Sequence, residues 1–170
     1  FDGPSGITHA RIESLKHVTG DVVLCTDGDA IVAPNWIAVM VKVLAGGKHV
    51  LVGSHVIFTG TAYNRLCNVL NTMTGWFAPR QGKGVAGLIW GPSMAFWAKD
   101  KDIVSEIFSD TYQLSHRIGL SRNPDDYWLA LYMGERGSLG YTTQTTVCAV
   151  AKETTSIDAY RRNRENNRNA

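Results

Sequence analysis

Val22-Val23-Leu24-Cys25-Thr26-Asp27-Gly28-Asp29-Ala30 is the stretch on which the reading of the fold turns. An apolar run, β-branched at its start, leads straight into two carboxylates separated by one glycine. Such a run reads as a buried strand of the kind found in parallel sheets. Asp27 and Asp29 then lie at its carboxyl end, where open α/β sheets bind ligands. Gly28 permits a tight turn that aims both side chains at one point. Carboxylates so close repel unless a proton or a cation lies between them. A hard divalent ion with phosphate oxygens on its far side answers that need. All three residues are also ordinary turn formers, so a plain turn after a strand stays open on spacing alone.

On the amino-terminal side, Ile7, Ala10, Leu15 and Val18 recur near helical spacing, with Gly20 as the stop. On the other side, Pro34-Asn35-Trp36 opens a helix with Ile37, Met40, Val41 and Leu44 on one face, ended by Gly46-Gly47. Residues 50–58 are apolar and β-branched, a core strand. Residues 63–76 read as a helix striped by Leu66, Val69, Leu70 and Met73, and residues 78–87 as a flexible loop. Residues 88–90 and 93–97 read as two strands around Gly91-Pro92, followed by a helix over 101–108. Asn123-Pro124-Asp125-Asp126 opens a helix that runs to Arg136 and stops at Gly137. A late strand covers 142–150, and 157–167 is a basic helix or frayed tail. This alternation gives an α/β fold with a mostly parallel sheet.

The 170 residues are enough for one sizeable core, and 44% hydrophobic with 19% charged residues is ordinary globular composition. A net charge of +2 makes no case for nucleic acid. Cys25, Cys67 and Cys148 form no CxxC and lie in apolar segments, so buried free thiols in a reducing compartment are expected. The five histidines show no HxH or HExxH spacing. No apolar run reaches transmembrane length, Lys42 breaking the best candidate.

The order Gly6-xxx-Ala10-Arg11, Gly20-Asp21, Asp27-Gly28-Asp29, Pro34-x-Trp36, Gly91-Pro92-Ser93-Met94-Ala95-Phe96 and Asp125-Asp126 resembles glycosyltransferase family 2, over about Gly6 to Arg164. The resemblance implies a GT-A-like, Rossmann-like sheet flanked by helices, with the amino-terminal nucleotide-binding strands missing from this chain. Residues 1–160 would form the partial catalytic domain and 161–170 a basic polar tail. It also implies that Asp27 and Asp29 hold Mn²⁺ or Mg²⁺ against the diphosphate of a UDP- or GDP-sugar, with Arg11 beside the donor. Asp126 resembles the general base that deprotonates an acceptor hydroxyl, with Asp125 orienting base or acceptor, so that attack inverts the anomeric centre. Trp90, Gly91 and Ser93 fall on the acceptor side. The implied acceptor is a glycan, a lipid or another hydroxyl compound. The implied setting is cytoplasmic, with peripheral association at the inner face of the membrane left open. Polymerising members end in Gln/Arg-x-x-Arg-Trp; here Arg161-Arg162-Asn163-Arg164-Glu165 replaces the Trp with Glu, against a polysaccharide synthase.

Each of these residues also has a plainer reading. Acids in a first helical turn are favoured by the helix dipole whatever the function, and Trp36, Trp90 and Trp97 can simply pack. Two other readings compete. Val22–Asp29 also fits the first motif of haloacid-dehalogenase-like phosphatases, with Asp27 as nucleophile, although Ile31 stands where those carry Thr or Val. A non-catalytic glycosyltransferase-like module is the third reading.

Overall fold

The computed structural model describes residues 6–59, 62–77, 82–119 and 124–150. In chain order they form α1 (Ile7–Lys16), β1 (Val22–Cys25), β2 (Ala30–Val32), α2 (Trp36–Gly46), β3 (Leu51–Thr59) and α3 (Ala62–Phe77). A 3₁₀ segment (Lys83–Leu88) follows, then β4 (Met94–Trp97), α4 (Lys101–Arg117), α5 (Asp125–Arg136) and β5 (Leu139–Val150).

One five-stranded sheet, ordered β1-β4-β3-β5-β2, divides the molecule. The α/β expectation holds, but the pairing is mixed rather than mostly parallel. Only β3 and β5 run parallel; β1–β4, β3–β4 and β2–β5 are antiparallel. Strand β1 is therefore antiparallel and stands at an edge of the described sheet, with Val23 its one fully buried residue. The short strand β2 had no signal of its own, because its three residues sit inside turn chemistry.

Alternation along the central strands sorts the core into two layers. Val52 and Ala95 point to one face, where Trp36, Met40 and Leu44 of α2 cover them. Leu51, Met94, Phe96 and Leu139 point to the other, against Phe108 and Val104 of α4, Leu129 and Met133 of α5, and Val85 and Ile89. Helix α1 joins this second layer through Leu15. The register of β3 on β5 shifts between Ser54 and His55, so that Thr143, Gln144 and Thr145 bulge from the ladder. Asn35 fastens the bulge, donating to the Gln144 carbonyl at 3.2 Å and accepting from the Thr145 hydroxyl at 3.0 Å.

Between residues 78 and 97 the expectations need correction. Residues 88–90 are not a strand: Ile89 N–H closes onto the Ala86 carbonyl, and β4 begins at Met94. The glycine-rich loop, from Gly82 onward, winds into a 3₁₀ turn that buries Val85 and Ala86 beneath the sheet. Apolar Val85 had too few neighbours of its kind for a periodicity to show. Helix α4 also runs well past Phe108, to Arg117. Residues 78–81, Asn123 and the 157–167 tail lie outside the described residues, as does the proposed boundary at 160.

Two buried histidines add a pH dependence. His49 Nδ1 lies 3.1 Å from the Ser138 hydroxyl; His55 Nδ1 lies 3.1 Å from the Tyr141 hydroxyl, and its Nε2 3.2 Å from Thr72. Burial holds both imidazoles below their usual pKa of 6.5. A base with a depressed folded pKa binds fewer protons folded than unfolded, so stability is full above 6.5 and falls as the pH drops below it. Urea midpoints should therefore decline from pH 7 towards pH 5. Replacing His55→Gln should flatten that decline, and an unchanged slope would rule His55 out as a source.

Candidate active site

The carboxyl end of β1 leads into a turn closed by Ala30 N–H on the Asp27 carbonyl at 3.1 Å. That turn sets the Asp27 side chain back under α1 and leaves Asp29 exposed. Arg11, on the inner side of α1, reaches both elements of the site. Its Nη1 donates to Asp125 Oδ1 at 2.7 Å, and its Nη2 lies 3.6 Å from Asp27 Oδ1. The guanidinium carbon stands 5.9 Å from the Phe108 ring centroid, within cation–π range.

Asp125 is 4% exposed and its oxygens are committed. Oδ1 takes Arg11 and the backbone N–H of Asp126 at 3.0 Å; Oδ2 takes the Thr8 hydroxyl at 3.2 Å. Helix-dipole placement alone does not explain a side chain tied to a helix more than a hundred residues away. Asp126 is half-buried, with Oδ2 accepting Gly91 N–H at 2.8 Å and Oδ1 accepting Tyr127 N–H at 2.8 Å. Gly91 is a glycine for a spatial reason: a Cβ there would come 2.4 Å from Arg11 Nη2 and 3.5 Å from Asp126 Oδ2.

Five of the residues singled out from the sequence, Arg11, Asp27, Gly91, Asp125 and Asp126, thus meet in one cluster. Asp29 stands at its outer edge, lining with Arg11 and Asp27 the polar end of a cavity of about 810 Å³ between α1 and β1. One placement differs from expectation. Ser93 is wholly buried: it accepts the Trp36 indole N–H at 2.9 Å and shares a hydrogen with Ser54 Oγ at 2.5 Å, so it offers nothing to an acceptor. Arg11 is paired with Asp125 and lies against Asp27, at the polar end of that cavity. Trp90 lies beside the cluster, its ring 5.2 Å from that of Phe58 and its indole N–H on the Gly87 carbonyl. Thr8 was missed; its only signal was its place one helical turn before Arg11 on the same face.

The electrostatics follow from crowding. Burial raises the Asp27 carboxyl above its ordinary range; Arg11 works against this, while Asp29, Asp126 and Asp125 add to it. Burial likewise pushes the Cys25 thiol up to about 11, leaving it protonated and unreactive at neutral pH. Cys25 and Cys148 are free and half-buried.

A mixed α/β sheet with an acidic turn after an edge strand, facing a second acid pair at a helix start, has the layout of a GT-A-like fragment. The model of the family described as Glycosyl transferase family 2 matches residues 2–108, and the chain belongs to that family. Membership makes this a glycosyltransferase domain and implies, in general terms, a nucleotide-sugar donor and an acceptor. No curated protein matches the chain. Asp125 and Asp126 lie beyond the matched span and join the site through geometry.

Removing the cation tests the cluster directly. Arg11→Met should cost about 3 kcal/mol of stability, the penalty for stranding a buried carboxylate. Arg11→Lys, which keeps the charge but not the fork, should recover part of it. Chemical denaturation reads both, and a loss within 0.5 kcal/mol, the usual scale for surface substitutions, would show that the pair is not structural.

Proposed function

We propose that this chain carries the sugar-transfer centre of a metal-dependent, inverting glycosyltransferase acting from a nucleotide sugar on an acceptor hydroxyl. The observation that carries the reading is the convergence of Asp27 and Arg11 with Gly91, Asp125 and Asp126 in one family 2 domain.

Asp126 is the base. Two backbone N–H groups fix its carboxylate, and lone pairs remain to take a proton from an acceptor hydroxyl. Asp125, with its oxygens occupied, positions Asp126 instead of touching the acceptor. The acceptor oxygen bonds to the anomeric carbon, the bond to the donor's diphosphate breaks, and the hydroxyl proton passes to Asp126. With the diphosphate held at Asp27 and Asp29, attack from the Asp126 side inverts the anomeric centre. Trp90 offers a partly exposed ring as a wall for the acceptor.

Asp27 and Asp29 would hold the Mn²⁺ or Mg²⁺. Their oxygens suit a hard ion, and the crowding of acids around Asp27 is what a cation relieves. No group of three or more ligating side chains occurs among the described residues, so the ion would be shared with the diphosphate rather than caged by protein. When bound it supplies positive charge against the leaving group.

Calorimetric titration of UDP and GDP, with and without Mn²⁺, tests this. Binding of one nucleotide should require the metal and vanish in Asp27→Asn/Asp29→Asn. Metal-independent binding, or an unaffected variant, would sink the proposal. Hydrolysis of p-nitrophenyl phosphate with Mg²⁺, lost in Asp27→Asn, would instead favour a phosphatase.

A further inference from the structure

A second cavity, of about 390 Å³, opens at the other end of the sheet from the acid cluster. Strand β4 runs between the two: Gly91 lies just before its first residue, and Trp97, its last, walls this cavity. Helix α5 likewise starts at Asp125 in the cluster and ends at Arg136 on the cavity lining. Hydrogen bonds to the backbone fix the walls. The Trp97 indole N–H donates to the His49 carbonyl at 3.0 Å, and Val50 N–H to the Ser138 carbonyl at 2.9 Å. The His49 ring is seated so tightly that a Cβ at Gly47 or at Gly140 would collide with it.

Three cations from three elements line this cavity: Lys48 from the turn after α2, Lys99 from the 3₁₀ turn after β4, and Arg136 from the end of α5. None of the three side chains is ion-paired or hydrogen-bonded among the described residues. Asp100 is the one acid on the lining, and His49, its pKa lowered by burial, is uncharged at neutral pH. Lys48 is also costly where it stands. Its φ of 52° is left-handed, the conformation in which glycine ordinarily ends a helix, although Gly46 and Gly47 come just before it. Strain of this kind, at a lysine that bonds to nothing in the described chain, marks a functional position. Three cations less one acid leave +2, the complement of a dianion. A phosphate monoester carries about −1.5 to −2 at neutral pH, and a carboxylate only half of that. The planar Arg136 fork suits two phosphate oxygens, while Val50, Ile103 and Met133 join Trp97 in an apolar wall that would hold more than a bare ion. We propose that this cavity binds a small phosphorylated compound, its phosphate on Lys48, Lys99 and Arg136 and its apolar body against Trp97. Neither sugar donor nor metal ion takes part, so binding here stands or falls apart from sugar transfer.

Calorimetric titration of phenyl phosphate and of inorganic phosphate into the full chain, in EDTA at neutral pH, tests this. Without a metal ion the acid cluster repels both probes. Phenyl phosphate should bind about tenfold more tightly than inorganic phosphate, because its ring adds apolar burial. Arg136→Met should weaken that binding about tenfold or more. Lys42→Met, which removes an exposed cation from α2 outside the cavity, should leave it unchanged. Lys48→Gly separates binding from structure: it should raise the urea midpoint by relieving the left-handed backbone, yet weaken phenyl phosphate about fivefold or more. Vesicles of phosphatidylcholine with about 30% phosphatidic acid should fail to displace the probe, and displacement would overturn the small compound in favour of a lipid headgroup. Absent binding of phenyl phosphate, undiminished binding in Arg136→Met and Lys48→Gly, or an equal loss in Lys42→Met would overturn the site itself.

Discussion

The Arg11–Asp125 ion pair joins the first described helix to the last at 2.7 Å. Burying two charges costs solvation that a lone Coulomb contact rarely returns. Here the Thr8 hydroxyl and the Asp126 amide complete the coordination of Asp125, and the Phe108 ring backs the guanidinium. The arrangement depends in turn on a missing atom, since any side chain at Gly91 would occupy the space of Arg11 Nη2. One cation thereby sets the distance between the acidic turn after β1 and the acid pair that opens α5. Stability and site geometry are the same interaction, which makes it hard to weaken one without disturbing the other.

Much of this was legible in the residues. Strand β1 falls on Val22–Cys25 because an apolar run ends abruptly at acids, and α5 runs from Asp125 to Arg136 because proline and acids start it and Gly137 ends it. Strong local punctuation makes such boundaries readable. The members of the site were legible too, as residues whose chemistry exceeded what a turn or a cap needs. Their meeting was not, because nothing local links Arg11 to a carboxylate so distant in the chain.

What escaped the sequence was orientation. An apolar run says that a strand has buried neighbours but not which way they point, so β1 read as parallel although β4 pairs with it antiparallel. Periodicity likewise located the stripe on α3 without saying whether it faced the sheet, and hydrogen bonds from Asn68 and Thr72 turned it outward. Ser93 looked available beside Gly91 and Pro92, yet strand alternation turned it inward onto Trp36. Each of these three errors reverses a direction while keeping the element, which is the failure expected when one-dimensional patterns are read without tertiary partners.

Strand β5 lies between β3 and β2 in space but is the last described element to be synthesised. On the ribosome, β3 must wait with an open edge through α3, β4, α4 and α5 before its parallel neighbour emerges. Closure through so distant a partner is slow relative to local pairing, and an apolar strand edge exposed in the interval invites association with other chains. Truncation within β5 would therefore cost more than a terminal strand usually does: it would remove the keystone of the sheet and leave β2 and one edge of β3 unpaired.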